Sequence, residues 1–411
     1  MRPATTTSEL SPAQRMRRFV ITLFAALGVS LVLILVMNLL LGAQGLGSVK
    51  ATHAASVWQQ TTRGITYAPP ISITRPFKAL RLADRLPDIN ALVLGSSALM
   101  GVTDRLFPAS WRTYNLTLTG NSTASVVAEA EYIEANHARR IRWMLIGLDW
   151  SVGMIYLPGI VNTIDLAPDA YTRAYTTRAL PLHKRLEDAL SWPRVATLGS
   201  LLLTALTSDA PLDNLRRTFT DVAGAEYHCA DGALARDFDV INRGLCRGYR
   251  YDGSWTFAND SRLTPTQAAT LSIAATAESS KYTKHLCATQ GEPNPEFMRR
   301  FGETARRFEA KGGRMIFVLP PLAPGMEMAM RNTPRWKTCL DRTKSSLDAW
   351  ARRYHVSIID AGASERYGCR APEFADEHHA YPECNQRVLR RFFRDQDAGL
   401  VGAGLYQPEG A

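Results

Sequence analysis

The sequence predicts a three-layer α/β domain, a parallel sheet covered by helices on both faces, preceded by one N-terminal transmembrane helix. Two observations carry this prediction. The chain begins with a long run without charged residues, and short continuous apolar segments later alternate with amphipathic helical ones. Of 411 residues, 46% are apolar and 21% charged, which suits a folded core and excludes a disordered chain. The mean hydropathy of −0.14 excludes a polytopic membrane protein.

The N-terminal apolar run is long enough to cross a bilayer. Residues 19–41 lie in a segment without an acidic or basic residue between Arg18 and Lys50. About 20 apolar residues span a membrane as a helix, whereas the apolar region of a cleavable signal peptide has roughly 7–15. We therefore expect an uncleaved anchor. The alternative is cleavage at the small residues within 51–56.

The flanking charges orient this anchor. Residues 1–18 contain four arginines, while only Lys50 and Arg63 follow the span closely. The positive-inside rule then leaves residues 1–18 as a cytoplasmic tail and exports the remainder. The prediction is a single-pass protein of the inner (cytoplasmic) membrane, held in the lipid bilayer by residues 19–41, with its main domain in the periplasm.

The cysteines agree with export, because all six follow the span and their number is even. No CxxC pair or zinc-type spacing with histidine competes with disulfide formation. Six cysteines allow fifteen connectivities, so proximity is the only guide. It favours two pairs, Cys229 with Cys246 and Cys369 with Cys384, which leaves Cys287 with Cys339 as the third.

Charge and motifs limit the partners. The formal net charge of +10 suits anionic lipid headgroups or an anionic glycan. No concentrated basic run with interleaved aromatic residues occurs, so we expect no nucleic acid partner. The glycine-rich residues 42–47 follow the membrane span and not a strand, which argues against a dinucleotide site, and we expect no cofactor.

The exported part consists of a lead-in, a domain with an insertion, and a tail. Residues 42–90 are predicted as a stalk and lead-in, 91–395 as the α/β domain, and 396–411 as a C-terminal tail. Residues 151–290 break the alternation of strands and helices. We interpret them as a partly helical insertion beside the sheet, with an apolar helix at 195–206.

Within the domain, continuous apolar runs between turn residues predict buried strands, and helical periodicity predicts amphipathic helices. The predicted strands are 91–95, 113–118, 142–149, 314–319 and 356–360. The predicted helices are 122–137, 295–311, 347–354 and 385–393.

Reactive side chains occur where the chemistry of open α/β sheets gathers, beyond the carboxyl ends of strands. The first predicted strand ends in Gly95-Ser96-Ser97, a tight turn that presents a hydroxyl beside backbone N–H groups. The alternative for either serine is an N-cap. Asp376 and His379 lie three residues apart in a polar loop, a spacing that can bring the carboxylate onto the imidazole.

These residues fit a serine hydrolase triad, in which a carboxylate orients an imidazole that takes the proton of the serine hydroxyl. The loop has two alternatives, a solvated acidic turn or a metal site formed by Asp376, His378, His379 and Glu373. Adjacent histidines rarely bind one ion together, and no third histidine nearby completes a familiar spacing. We therefore expect no metal.

The order of these motifs resembles the SGNH/GDSL hydrolase superfamily. A strand ending in Gly-x-Ser, a glycine after the second strand, a Gly-Leu-Asp strand end and a late Asp-x-x-His occur within residues 91–150 and 314–395. The resemblance is closest to its membrane-anchored Gly-Ser-Ser branch, which includes the teichoic-acid D-alanylation protein and relatives of the alginate O-acetylation proteins. It implies a flavodoxin-like, SGNH hydrolase-like fold.

The resemblance also implies roles for single residues. Ser97 matches the nucleophile, and Asp376 and His379 match the late acid and base. Gly120 matches the glycine whose backbone N–H, with that of Ser97, helps to form the oxyanion hole.

Two positions depart from the family pattern. Ser96 replaces the aspartate of Gly-Asp-Ser, which is typical of this branch. The third block usually offers an asparagine donor, whereas this chain has Asp149, and an ionised carboxylate cannot donate to an oxyanion. Either Asn121 supplies the missing donor, or Asp149 has another role, or the site is weakened. Removing one such donor costs on the order of 10²–10³ in turnover.

The sequence thus predicts a membrane-anchored, exported serine acyltransferase or esterase that acts on O-acyl groups of a cell-envelope glycan or polysaccharide. The anchor favours transfer, because a membrane-embedded protein could supply activated acyl groups; this step is analogy to the family. The alternative is a catalytically silent scaffold or binding module in a cell-envelope polysaccharide assembly complex.

Overall fold

The computed structural model describes most of the sheet domain and part of the insertion. The described residues are 11–44, 49–68, 74–149, 226–229, 232–236, 246–257, 262–277 and 290–408, with isolated positions between 186 and 212 and at 287. The apolar helix predicted at 195–206 lies largely outside them. The sequence alternation of strands and helices is present on both sides of the insertion.

The first helix, α1, extends from Pro12 to Gln44 and contains the predicted membrane span. Its segment Pro12–Asn38 is long and apolar enough to cross a membrane, and it is not buried against the rest of the chain. Within the described part of the chain it is the one helix with these properties. The predicted span is therefore confirmed as a helix that is long and apolar enough to cross a membrane.

The lead-in after the anchor is folded. It contains α2 (Val49–Thr61) and α3 (Thr74–Arg85), which pack against each other. Tyr67 and Phe77 are both buried, and their ring centroids lie 4.9 Å apart. The described part of the predicted stalk and lead-in is thus packed into the fold. A solvated stalk would expose these apolar side chains to water, and packing buries them.

Eleven strands lie within the described residues: β1 (Ile65–Thr66), β2 (Ala91–Leu94), β3 (Thr113–Asn115), β4 (Trp143–Gly147), β5 (Glu226–His228), β6 (Leu234–Arg236), β7 (Gly248–Tyr249), β8 (Trp255–Thr256), β9 (Arg314–Leu319), β10 (Ser357–Asp360) and β11 (Gly404–Tyr406). Six of them form one parallel sheet in the order β11-β10-β9-β4-β2-β3. Counted along the chain within this sheet, the order is 2-1-3-4-5 with a sixth strand added, which is the doubly wound, flavodoxin-like arrangement.

All five predicted strands are present in this sheet, with ends that differ by a few residues, and the sheet has a sixth strand that we did not predict. β11 lies in the segment predicted as a C-terminal tail and pairs in parallel with β10, Ser357 opposite Gly404. The N–H of Leu405 also donates to Asp348 Oδ1 at 2.7 Å. Three residues that include a glycine show no apolar pattern, so only pairing with the edge of β10 makes them a strand.

The remaining described helices are α4 (Thr123–His137), α5 (Pro265–Ala275), α6 (Pro295–Ala310), α7 (Met326–Arg331), α8 (Pro334–Tyr354) and α9 (Pro382–Asp397). They flank the sheet in two groups. In one group α6 packs against α4, α8 and β9. In the other, α9 places Phe393 edge-on against Trp111, with ring centroids 5.0 Å apart. The four predicted helices are confirmed, and α8 and α9 are longer than predicted.

Two of the three predicted disulfides are confirmed. Cys287 is bonded to Cys339 and Cys369 to Cys384, with Cα atoms 5.5 and 5.1 Å apart. The third pairing is wrong in this structure. Cys229 and Cys246 pack in one small cluster without a disulfide bond between them, and the Cys246 Sγ lies 3.6 Å from the carbonyl oxygen of His228.

A buried ion cluster joins α7, α8 and the end of β10. Lys344 donates to both carboxylate oxygens of Glu327 at 2.7 Å, and its Nζ lies 2.6 Å from Asp360 Oδ2. At most 7% of each of these three side chains is exposed. A buried charge is costly without its counterion, so this cluster ties the helices to the sheet.

Replacing Lys344 with methionine should lower the free energy of unfolding by about 3–5 kcal/mol, because two buried carboxylates lose their shared cation. Urea unfolding followed by circular dichroism measures this difference. Lys337→Met is the matched control on the same helix, since Lys337 pairs with Asp341 at the surface. Equal, small effects of both substitutions would contradict a structural role for the cluster.

Candidate active site

The candidate site lies at the carboxyl end of the sheet, where β2 and β4 are neighbours. Gly95 follows β2 with φ +150°, a backbone conformation that glycine adopts without strain. A Cβ atom on Gly95 would lie 3.4 Å from the Cα of Gly147, and one on Gly147 would lie 2.8 Å from Leu99 Cδ1. The two strand ends thus approach closely, at the point where strand order reverses and ligands commonly bind.

The two serines after Gly95 have different surroundings. Ser96 is buried and caps the 3₁₀ turn Ser97–Leu99, its Oγ accepting from the N–H of Ala98 at 3.4 Å. Ser97 is the first residue of that turn and is half-buried. The capping alternative therefore applies to Ser96, and the hydroxyl of Ser97 is not used for the cap.

Asp376 and His379 form a close pair. Asp376 Oδ1 accepts from the backbone N–H groups of His378 and His379 at 3.0 and 2.9 Å. Its Oδ2 lies 2.6 Å from Nδ1 of His379. One carboxylate therefore closes the turn and orients the ring, which points Nε2, the remaining ring nitrogen, away from Asp376. This is the acid–base geometry that the spacing predicts.

The charge state of Asp376 suits this geometry. Burial raises the pKa of the carboxyl, but the hydrogen bond and the charge of His379 outweigh it and hold the pKa at about 2. Asp376 is therefore ionised across the range in which an imidazole accepts protons. An ionised carboxylate holds the Nδ1–H tautomer in place and stabilises the imidazolium.

Contacts on two sides place the Asp376–His379 loop at the carboxyl edge. The N–H of Ala323, which follows β9, donates to the carbonyl of Glu377 at 2.9 Å. On the other side, a Cβ on Gly101 would lie only 2.3 Å from the carbonyl oxygen of Ala380. The loop thus touches the segment that begins at Ser97. Among the described residues no hydrogen bond joins Ser97 to His379.

Gly120 and Asn121 follow β3 in the turn beside this segment. Gly120 is exposed with φ +65°, and the hydroxyl of Thr119 lies 3.6 Å from Met100 Sδ. Asn121 is buried, and its amide donates to the carbonyl of Gly95 at 3.2 Å and to Glu129 at 3.1 Å. Both amide hydrogens are therefore engaged, so a donor role toward an oxyanion requires Asn121 to release one of them.

Asp149 also lies at the carboxyl edge, two residues after β4, and is half-buried. The preceding N–H, that of Leu148, donates to the carbonyl of Val318 on β9 at 2.8 Å. The backbone thus places Asp149 between the ends of β4 and β9, at the edge that the Asp376–His379 loop crosses.

The insertion contributes a wall that the sequence did not predict. Its hairpin β7–β8 reaches the end of β3, where the N–H of Asn115 donates to the carbonyl of Asp252 at 2.7 Å. The N–H of Trp255 donates to the carbonyl of Met100, also at 2.7 Å. Just beyond, the ring of Phe257 lies 6.0 Å from the imidazole of His379. No motif marks this hairpin, since its contacts are mostly backbone ones.

Buried Lys78 on α3 joins the β7–β8 hairpin to the end of β3. Its Nζ donates to the carbonyls of Asn115 and Gly253, both at 2.5 Å, and lies 4.2 Å from the ring centroid of Tyr249. Burial lowers the pKa of Lys78 well below its usual range, although Asp252 and Glu129 oppose this. The lead-in is thereby joined to the rim of the candidate site.

The metal alternative is testable by geometry. Ligand atoms of Asp376, His378 and His379 lie within 4.8 Å of one another. Zinc ligands at about 2.0 Å from a tetrahedral ion stand roughly 3.3 Å apart. The 2.6 Å contact between Asp376 Oδ2 and His379 Nδ1 is therefore a hydrogen bond, so these two atoms are not ligands to one ion together. Asp376 Oδ1 and His378 Nδ1, 3.5 Å apart, have a separation that two ligands of one ion could have. A second cluster contains Glu373 between two cysteines that are bonded to each other.

No protein-family model, curated protein or solved structure matches this chain. The resemblance to SGNH hydrolases therefore rests on the sequence motifs alone.

Gly101→Ala should separate the loop of His379 from the segment of Ser97, because the new methyl group would meet the carbonyl oxygen of Ala380. We expect a loss of stability of about 1–3 kcal/mol, as for other overpacking substitutions, measured by urea unfolding. Gly64→Ala is the control, since a Cβ there meets no atom within 4 Å. Equal stability of the two variants would show that the loop and the segment are not in tight contact.

The Asp376–His379 pair should make stability depend on acid. The folded-state pKa of Asp376 is about 2, below its ordinary value of 3.8, so the stabilisation is complete above about pH 5 and is lost as the pH falls from there through 2. The difference in melting temperature between wild type and Asp376→Asn should therefore shrink as the pH falls from about 5 to about 2, a range below that in which an ordinary imidazole changes its charge. Exposed Asp88 provides the control, Asp88→Asn. A difference that grows over this range of pH would contradict the assignment.

Proposed function

We propose that this protein is a membrane-anchored serine acyltransferase or esterase of the SGNH hydrolase type, with Ser97 as nucleophile, His379 as base and Asp376 as its orienting acid. The observation that carries the proposal is the 2.6 Å contact between Asp376 Oδ2 and His379 Nδ1 on a loop that touches the segment beginning at Ser97. The Asp376–His379 pair and the segment of Ser97 therefore lie at the same edge of the sheet, which supports the proposal.

That no hydrogen bond joins Ser97 to His379 among the described residues agrees with a resting enzyme. Catalytic hydrogen bonds are often long without substrate and tighten when the reacting group is bound. The capping role of Ser96 leaves the next hydroxyl, that of Ser97, at the start of the turn. Gly120, whose exposed turn lies beside Met100, supplies a second backbone N–H for the oxyanion.

The proposed reaction is an acyl transfer in two steps. His379 Nε2 accepts the proton of the Ser97 hydroxyl while Ser97 Oγ attacks the ester carbonyl. His379 then gives this proton to the alcohol, which leaves. An acyl-enzyme remains on Ser97. Water or a sugar hydroxyl then attacks the acyl carbonyl, giving up its proton to His379, and the acyl group leaves Ser97 with its hydroxyl restored.

The substrate class is part of the proposal. An N-terminal helix that can cross a membrane, with disulfides in the folded domain, fits a site held outside the cytoplasm. The four arginines before the helix favour an inner-membrane protein with a periplasmic domain. We propose that the acyl acceptor or donor is a cell-envelope glycan, and that a membrane-embedded protein supplies activated acyl groups when transfer occurs.

A second function is favoured by one observation. By the resemblance to SGNH hydrolases, Asp149 replaces a donor, and both amide hydrogens of Asn121 are engaged with Gly95 and Glu129. A site with fewer donors stabilises an oxyanion poorly. The second candidate is therefore a catalytically silent binding module in a polysaccharide assembly complex, built on the same sheet.

The deciding experiment uses the full-length protein in detergent. Hydrolysis of p-nitrophenyl acetate and labelling by a fluorophosphonate probe are compared for wild type, Ser97→Ala and His379→Ala. We expect labelling to vanish in Ser97→Ala and hydrolysis to fall on the order of 10³-fold or more in both variants, because the nucleophile and its base are lost.

Ser96→Ala is the matched control, because it removes the neighbouring hydroxyl and a cap but not the proposed nucleophile. It should keep its labelling. Equal background in wild type and all variants would favour the binding module. Release of acetate from an acetylated polysaccharide, with and without an added acceptor sugar, then separates esterase from transferase.

A further inference from the structure

A buried polar network lies directly behind the turn that carries Ser97. Arg75 on α3 donates from Nη1 to Glu129 Oε1 at 3.0 Å and from Nη2 to Asn121 Oδ1 at 2.9 Å. Asn121 Nδ2 donates to both oxygens of Glu129 at 3.1 Å. The same nitrogen donates to the carbonyl of Gly95 at 3.2 Å. Three segments of the chain therefore converge on the residue that precedes Ser96 and Ser97.

The side chains of the network are largely buried and hydrogen-bond to one another. The side chain of Glu129 is fully buried, that of Arg75 is 21% exposed, and Asn121 is buried. Burying a carboxylate is expensive unless it is paired and hydrogen-bonded, and here each oxygen has a partner. The amide orientation of Asn121 is thereby determined, since its oxygen faces a cation and its nitrogen faces a carboxylate. The hydrogen bond from Asn121 to the Gly95 carbonyl connects this network to the turn of Ser97.

The Gly95 carbonyl is a junction between the two turns of the candidate site. It accepts from the N–H of Leu118 at 3.2 Å as well as from Asn121. Leu118 and Asn121 flank Gly120, while Gly95 leads into Ser97. A displacement at Gly95 would therefore change the distance between the Gly120 turn and the Ser97 hydroxyl, which is the geometry that acyl transfer requires.

We propose that Glu129 and Arg75 are positioning residues, which orient the Asn121 amide onto the Gly95 carbonyl and so fix the Ser97 turn against the Gly120 turn. This inference rests on the proposed function for its catalytic meaning, but its structural content can be tested without activity. It also gives Asn121 a different role from the oxyanion donor that the sequence suggests.

The electrostatics of Glu129 supply a readout. Burial raises its pKa to about 7, against the opposing effects of Arg75, Asn121 and Lys78. Arg75 and Lys78, both on α3, are the charged groups that act on it. Above pH 7 the ionised carboxylate holds Arg75 and Asn121 by charge-assisted hydrogen bonds, and below pH 7 the protonated group holds them more weakly. Glutamine in its place would not titrate.

Hydrogen–deuterium exchange of the full-length protein tests the structural part. Glu129→Leu should raise the exchange of peptides covering 95–101 and 117–122 by about tenfold or more, because the Gly95 carbonyl loses its brace. Glu131→Leu is the matched control on the same helix, since Glu131 pairs with Arg300 at the surface of α4 and α6. If Glu129→Leu does not fold, Arg75→Met tests the same brace.

The catalytic part is tested by the pH dependence of fluorophosphonate labelling. The rate ratio of wild type to Glu129→Gln should be near one at pH 6 and rise above pH 7, whereas Glu129→Leu should be slower at every pH, on the order of 10²-fold. Partial rescue by glutamine is expected, because its oxygen can accept the bonds that Oε1 accepts.

The outcomes separate the two proposals. Unchanged exchange in Glu129→Leu and Arg75→Met, with a flat rate ratio, would overturn the positioning role even if Ser97 is reactive. If Glu129→Leu exchanges faster but the probe does not label even the wild-type protein, the positioning role is supported and the proposed function is overturned. Equal exchange in Glu129→Leu and Glu131→Leu would also overturn the positioning role, because the effect would then come from removing any glutamate of α4 and not from Glu129 in particular.

Discussion

The parallel pairing of β2 with β4 is the constraint on which the candidate site depends. Because β3 continues the sheet on one side and β9 on the other, the chain leaves these two strands in opposite directions, the arrangement in which open α/β sheets have a crevice beyond the carboxyl ends of the strands. Gly95 and Gly147 let the strand ends approach within contact distance there. A side chain at Gly147 would collide with Leu99, at the end of the turn that begins at Ser97.

A disulfide and buried hydrogen bonds hold the Asp376–His379 loop at that edge of the sheet. The Cys369–Cys384 disulfide closes a segment of 15 residues that contains both Asp376 and His379. Asn385, buried at the start of α9, donates to the carbonyl of Ala380 at 3.1 Å. A cross-link of this size restricts the unfolded chain more than it alters the fold. The loop is thus short, cross-linked and anchored by buried hydrogen bonds, which suits an acid–base pair that must keep one geometry.

Much of the fold was predictable because its signals are local. The five predicted strands are continuous apolar runs, and the predicted helices have an apolar face, so neither depends on distant residues to be recognised. The Asp376–His379 contact was predictable for the same reason, since three residues span one turn. The sixth strand and the packed lead-in were not, because β11 is a strand only through the edge of β10, and α3 packs against α2 and against residues far along the chain, such as Glu129 and Gly253.

The sequence by itself determined the apolar N-terminal helix, the alternation of strands and helices, the Cys369–Cys384 disulfide and the chemical types at the strand ends, because each follows from apolar periodicity or from spacing along the chain. Only the tertiary structure decided which groups meet. It gave the cap to Ser96 and not Ser97, left Cys229 and Cys246 without a bond between them, and turned Asn121 toward Glu129. Those outcomes depend on contacts between residues far apart in the chain, where local pattern carries no information.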